Sequence, residues 1–118
     1  MNTFQTGIFL SLFLMQFLGS AYGQKLFRVD YRSQADICIY EVEYESQCDL
    51  KVFFVEYETQ ADEPGLWYYS DYESQADKTI FFVDYESQAD LKIYYVDYES
   101  QAGWRNPEKS YLLKPEDR

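Results

Sequence analysis

The chain has 118 residues, with 21 acidic and 10 basic side chains, no histidine, a net charge of −11 and 20% aromatic residues. A field of that sign repels phosphate backbones, which argues against nucleic acid as a partner. The lack of histidine removes Ser-His-Asp and Cys-His catalysis and every His-ligated metal, while the aromatic content is far above that of disordered acidic segments.

The chain opens with a charge-free apolar run from Gly7 to Leu18, followed by the small-residue site Ala21-Tyr22-Gly23. This is the layout of a signal peptide cleaved before Gln24, although only the α-amino group supplies the positive end. The run is shorter than the ~20 residues that span a bilayer. Residues 1–23 are therefore expected to be a signal peptide, the mature protein to be secreted or periplasmic, and no membrane span to remain after cleavage. Residues 24–113 then make one small domain, expected to be monomeric, and 114–118 a frayed tail.

From Tyr31 onward the chain repeats one hexapeptide, clearest as Tyr85-Glu86-Ser87-Gln88-Ala89-Asp90. Copies begin at Tyr31, Tyr44, Tyr57, Tyr72, Tyr85 and Tyr98, 13 residues apart except for a step of 15 after Tyr57, where an extra pair falls around Glu63-Pro64-Gly65. A unit this short cannot bury its own apolar face, so the copies must share one interior. Before each tyrosine lies a run of β-branched and aromatic residues such as Ile80-Phe81-Phe82-Val83, the composition of a strand. Period two places Phe81, Val83 and Tyr85 on one face, which is expected to be the core. The acids around the runs, Glu56, Glu58, Asp84 and Glu86 among them, read as gatekeepers against aggregation.

After each tyrosine, Glu-Ser-Gln-Ala-Asp reads as a turning connection. Its glutamine is the same in all six copies (Gln34, Gln47, Gln60, Gln75, Gln88, Gln101), so each is expected to be partly buried with its amide bonded to backbone or to a neighbouring unit. The pattern ends at Gly103-Trp104, after which Tyr111-Leu112-Leu113 suits a terminal cap. The fold class is all-β, a compact domain of six 13-residue strand-turn repeats, with a short β-solenoid or sandwich as the alternative.

The repeated Tyr-Glu-Ser-Gln-Ala-Asp, preceded by an aromatic pair and Val-Asp and closed by Gly103-Trp104-Arg105-Asn106-Pro107-Glu108-Lys109, resembles the septoil-knot domain family. The resemblance runs from Lys25 to about Leu113. It implies a mostly β monomer whose repeated strands wind about one another into a torus knot of seven crossings, and it carries no biochemical role. Arg28, Arg32 and the Glu63-Pro64 insertion depart from the pattern.

Chemistry is sparse. The motif serines have no base beside them and read as turn hydroxyls, and the carboxylates recur identically in every unit, so no pair stands apart as an acid and its base. No calcium-loop motif is present. Cys38 and Cys48 are either a disulfide, suited to an exported chain, or two buried thiols. Trp67, Tyr68, Tyr69 and Trp104 are candidate ligand contacts, with core and cap packing as the alternative role, and the insertion at Pro64-Gly65-Leu66-Trp67 is the first place to expect binding. The expectation is an exported structural or interaction protein without enzymatic activity, cofactor or metal, or else a carbohydrate- or peptide-binding module.

Overall fold

The computed structural model describes residues 24–114; the expected signal peptide and all but the first residue of the tail lie outside them. Each copy supplies one strand: β1 Lys25–Arg28, β2 Ile37–Glu41, β3 Leu50–Phe54, β4 Leu66–Tyr69, β5 Lys78–Phe82 and β6 Leu91–Tyr95. A two-residue strand β7, Gly103–Trp104, and a short 3₁₀ segment, Pro107–Leu113, end the fold. After β1 to β6, a three-residue 3₁₀ turn covers the Glu-Ser-Gln part of the motif or its equivalent, Arg32–Gln34 being the first.

The six long strands are all parallel and close on themselves in the order β1-β5-β2-β6-β3-β4, with β4 bonded back to β1. Full closure removes the exposed edges that such apolar strands would otherwise present. Consecutive strands are not neighbours, with one exception at β3 and β4. The chain steps over one strand each time, and its connection lies across the strand it skipped: the turn after β1 packs on β5, and the turn after β5 packs on β2. Parallel strands ordinarily need a crossover of a dozen or more residues. Here residues 29–36 suffice between β1 and β2, because strands of four or five residues can be retraced by a short extended segment.

Register repeats as faithfully as sequence. At all six junctions the residue five before a motif tyrosine, or its alternate-frame equivalent, sits opposite the residue two places earlier in the next repeat: Leu26 faces Lys78, Ile80 faces Ile37, Ile39 faces Leu91 and Ile93 faces Leu50. An even offset keeps every inward side chain inward. It also tilts the strands, which widens the barrel enough to hold side chains.

The interior is one layer of six residues, Leu26, Ile80, Ile39, Ile93, Val52 and Trp67 in order round the barrel, each 0% exposed. Below it lie Ile37, Leu50 and Leu91, and Leu113 of the terminal segment completes the cluster. That segment is tied to the end where strands begin: the N–H groups of Arg105 and Asn106 donate to the Asp49 carbonyl, and Lys109 Nζ donates to the Asp90 carbonyl. The expected cap is thus formed by Leu113 and by Leu112, which packs against the core, whereas Tyr111 is exposed.

The core face differs from the expectation. Phe81 is half-buried on the outside of the barrel, under the crossing connections, and Tyr85 is 68% exposed; only Val83 of that trio is buried. The reason is the size of the interior: a single layer across six strands accommodates aliphatic residues and one indole, not six aromatic rings. Val52, the smallest residue of the layer, sits beside Trp67. The glutamines also differ, all six being exposed. In Gln60 and Gln101 the side-chain oxygen accepts the backbone N–H of the unit's own tyrosine, at 3.0 and 3.3 Å, so these two cap a turn and bridge no units.

The motif aspartate bridges units instead. Asp36, Asp49, Asp77 and Asp90 each form a two-point clamp on the neighbouring strand: the aspartate N–H donates to the carbonyl of Thr79, Lys92, Lys25 and Cys38 respectively, and its Oδ2 accepts the N–H of that same residue at 2.8–3.0 Å. A carboxylate taking a backbone N–H is a charge-assisted bond, stronger than an amide pair. The clamp fixes the two-residue offset at four junctions. At β3 the copies depart from it: Asp62 lies beside the insertion and makes no such bond among the described residues, and Gly103 stands where the sixth aspartate would be.

Candidate functional site

Where the strands end, the next inward position forms a ring of Arg28, Phe82, Glu41, Tyr95, Phe54 and Tyr69, in order round the barrel. The four aromatics floor this mouth. Phe54 stacks against Tyr69 and Tyr95 with ring centroids 4.5 and 5.0 Å apart, and the Arg28 guanidinium lies 4.5 Å above the Phe82 ring, a cation–π contact. Burial, then the neighbouring Tyr95 hydroxyl, pushes the Tyr69 phenol well above its ordinary range. Burial likewise raises Tyr95. Both phenols therefore stay neutral and serve as hydrogen-bonding rims to an apolar floor. Glu41, with Glu43, Tyr44 and Tyr94, opens beside Tyr95 into a shallow groove. Arg28 and Glu41 could be read in the sequence as charges where four copies carry Phe or Tyr; their meeting at one mouth depends on strand order and could not.

Around this mouth stand the motif tyrosines, Tyr31, Tyr44, Tyr57, Tyr72, Tyr85 and Tyr98, 63–68% exposed. Each follows an acid, as in Asp84-Tyr85, and all but Tyr31 precede one. They lend nothing to the core, so a residue that is the same in all six copies, like the motif glutamine, is spent on the surface.

A second concavity lies at the barrel's seam. The far edge of β3 is shared: Leu50 and Lys51 pair with β7, Phe53 and Phe54 with β4. Between β7 and the start of β4 opens a cleft of about 280 Å³ lined by Glu63, Pro64, Leu66, Glu99, Gly103 and Trp104. Gly65 permits the close approach at its back, since a side chain there would meet the Lys51 carbonyl and, at 2.7 Å, the Gly103 nitrogen, and its φ is +89°.

The residues expected to contact ligand do not form one site. Trp67 is 0% exposed and is the largest core residue, so it is corrected from candidate contact to core. Its indole Nε1 is buried without a hydrogen-bond partner. Tyr68 is half-buried on the outer face, Tyr69 lies at the mouth, and Trp104 is half-buried with one side against the core and another on the seam cleft. Cys38 and Cys48 are free buried thiols, the second of the two alternatives. Burial raises the Cys48 pKa, opposed by the Arg105 charge. Among the described residues no three His, Cys, Asp or Glu side chains converge as metal ligands.

The fold and its sites define a class: a closed parallel barrel of repeats whose chain advances two places at each step. With β7, a two-residue strand antiparallel to β3, counted as marking a place between β3 and β4, the order becomes β1-β5-β2-β6-β3-β7-β4, and a uniform two-place step visits all seven places in two circuits. Two circuits through seven places are the winding of a seven-crossing torus knot, an exception to the rule that chains do not thread themselves. The chain belongs to the 7(1) septoil knot domain family, which it matches over residues 23–105. No curated protein matches it, and no solved structure does.

Proposed function

We propose that this is an exported, non-enzymatic interaction protein, in which the wound barrel is a rigid carrier and the ring of motif tyrosines with their flanking acids is the contacting surface. The observation that carries this reading is the 63–68% exposure of all six motif tyrosines. A residue repeated without change, yet absent from the core, has a use outside it, and tyrosine supplies large contact area at little conformational cost. Export rests on the apolar run and the small-residue site before Gln24.

Two measurements test it. Protein recovered outside the cytoplasm should begin at Gln24; recovery only inside, starting at Met1, removes export. Quantitative crosslinking of exported wild-type protein in its native setting should give defined adducts that a Y44S/Y85S/Y98S variant loses while melting at an unchanged temperature; adducts that survive in the variant refute the tyrosine surface. A second reading, a carbohydrate- or peptide-binding module, is favoured by the seam cleft, where Trp104 and the insertion predicted as a contact region do come together.

A further inference from the structure

We infer that the seam cleft is a receptor for one cationic side chain, an arginine or lysine presented by a basic peptide segment; this rests on the second reading above and assigns its ligand class. Three features of the cleft converge on a cation. The half-buried Trp104 offers an indole at its wall, with the exposed Pro64 supplying apolar surface for an aliphatic stem and the buried Leu66 behind them. The indole is the strongest of the aromatic partners for ammonium and guanidinium groups. Glu63 and Glu99, from two different repeats, put two carboxylates on the same concavity.

Those carboxylates decide between ligand classes. Among the described residues the ion pairs are Lys25 with Glu58 and Lys92 with Glu86, and neither cleft glutamate is paired with a cation. The two exposed glutamates set like charges on one concavity, and a neutral sugar stacked on Trp104 would leave their repulsion in place. A cationic head relieves it while its stem lies on Pro64 and the Trp104 ring. Space suits one long side chain: the cleft holds about 280 Å³, and a Cβ at Gly103 would meet nothing within 4 Å. The groove beside Tyr95 also carries two glutamates, Glu41 and Glu43, but its aromatic walls are phenols, whereas the seam cleft has an indole. The cleft exists only at the seam, because the Glu63-Pro64 insertion and Gly103 break the pattern there.

Tryptophan fluorescence reads the cleft directly, since the chain has two tryptophans and the other, Trp67, is sealed in the core. Titrating the mature protein with tetra-arginine, and in parallel with the uncharged sugar cellotetraose, should give a saturable change with the peptide alone. E63Q/E99Q should weaken it about fivefold, as expected for two solvent-exposed charge contacts. D71N/E73Q, which removes equal charge from exposed turn residues outside the cleft, should change it by less than about twofold through long-range attraction alone. Equal losses in the two variants would reduce the effect to net charge and overturn the assignment. A response to cellotetraose alone would keep the binding module and overturn the cation, whereas no response to either would remove the binding site with it.

Discussion

Replacing Asp49 and Asp90 separately by alanine tests whether the aspartate clamps, and not the turns around them, hold the repeats in register. The Asp90 carboxylate is exposed and accepts one bond, from the Cys38 N–H at 2.8 Å. Asp49 is 5% exposed and accepts two, from the Lys92 N–H at 2.9 Å and Asn106 Nδ2 at 3.2 Å. Bonds to a charged group contribute roughly 1.5–3 kcal/mol each when buried and less when water competes. Asp90→Ala should therefore cost ~1 kcal/mol. Asp49→Ala loses both bonds and strands a part-buried N–H, so it should cost ~3 kcal/mol. For a domain this size the difference of ~2 kcal/mol corresponds to a melting shift of roughly 8–16 °C between the variants. Equilibrium urea denaturation, incubated until unfolding and refolding curves coincide, measures both. If the two variants fall within 0.5 kcal/mol of wild type, or if Asp90→Ala is the more damaging, the clamps do not set the register.

Three further outcomes follow from the packing. Ile80→Ala, in a layer with no exposure, should cost about 2–5 kcal/mol, while Tyr85→Ala, 68% exposed, should stay within about 0.5; urea midpoints in the reverse order would restore the face expected from the sequence. Gly65→Ala combines a left-handed φ of +89° with a collision against the Lys51 backbone, so thermal melting should show a loss of ~3 kcal/mol or more, against ~1–2 for Gly103→Ala, where the space is open and the φ of +142° alone is strained. The third concerns alkali. Tyr69 and Tyr95 are raised by burial, and an unfolded tyrosine ionises near 10. Their stabilising contribution is complete below that pH and is lost as pH rises past it. Absorbance at 295 nm should show these two part-buried phenols ionising above the ordinary tyrosine range, and Y69F/Y95F should unfold at a higher pH than wild type; an unchanged alkaline midpoint refutes the shift.

Much of this fold could be read directly. The repeat, its strands, the single shared interior and the terminal cap are consequences of composition and period within one unit, and each copy states them again. Strand order is different in kind. It is set by pairings between residues 43 to 52 positions apart, such as Thr79 with Asp36 and Cys38 with Asp90, and nothing within a single 13-residue copy distinguishes a neighbour from the next but one. The core face failed for a related reason. Period two correctly separates Ile80 from Phe81, but which set goes inside depends on the barrel's width, which follows from strand number and stagger. The motif aspartate was visible and misread: its turn-forming chemistry is local, whereas its clamp spans two units.

The irregularities are better guides to the site than the repeats are. Seven places visited two at a time need seven strands, and the chain supplies six full ones. The last place must be half filled by β7, and β3 must divide its edge between β7 and β4. Three local departures in the second half of the chain gather at that mismatch. The insertion at Glu63-Pro64 carries the chain past the incomplete place, Gly65 admits the backbone of β7 at close range, and Gly103, opposite Lys51, replaces the aspartate that elsewhere clamps this strand position. A fully regular seventh copy would close the gap with another clamp and leave no concavity. The cleft beside Trp104 is thus what remains when a six-copy sequence occupies a seven-place knot, and a binding site located there needs no residue set aside from the repeat except the few that already mark the seam.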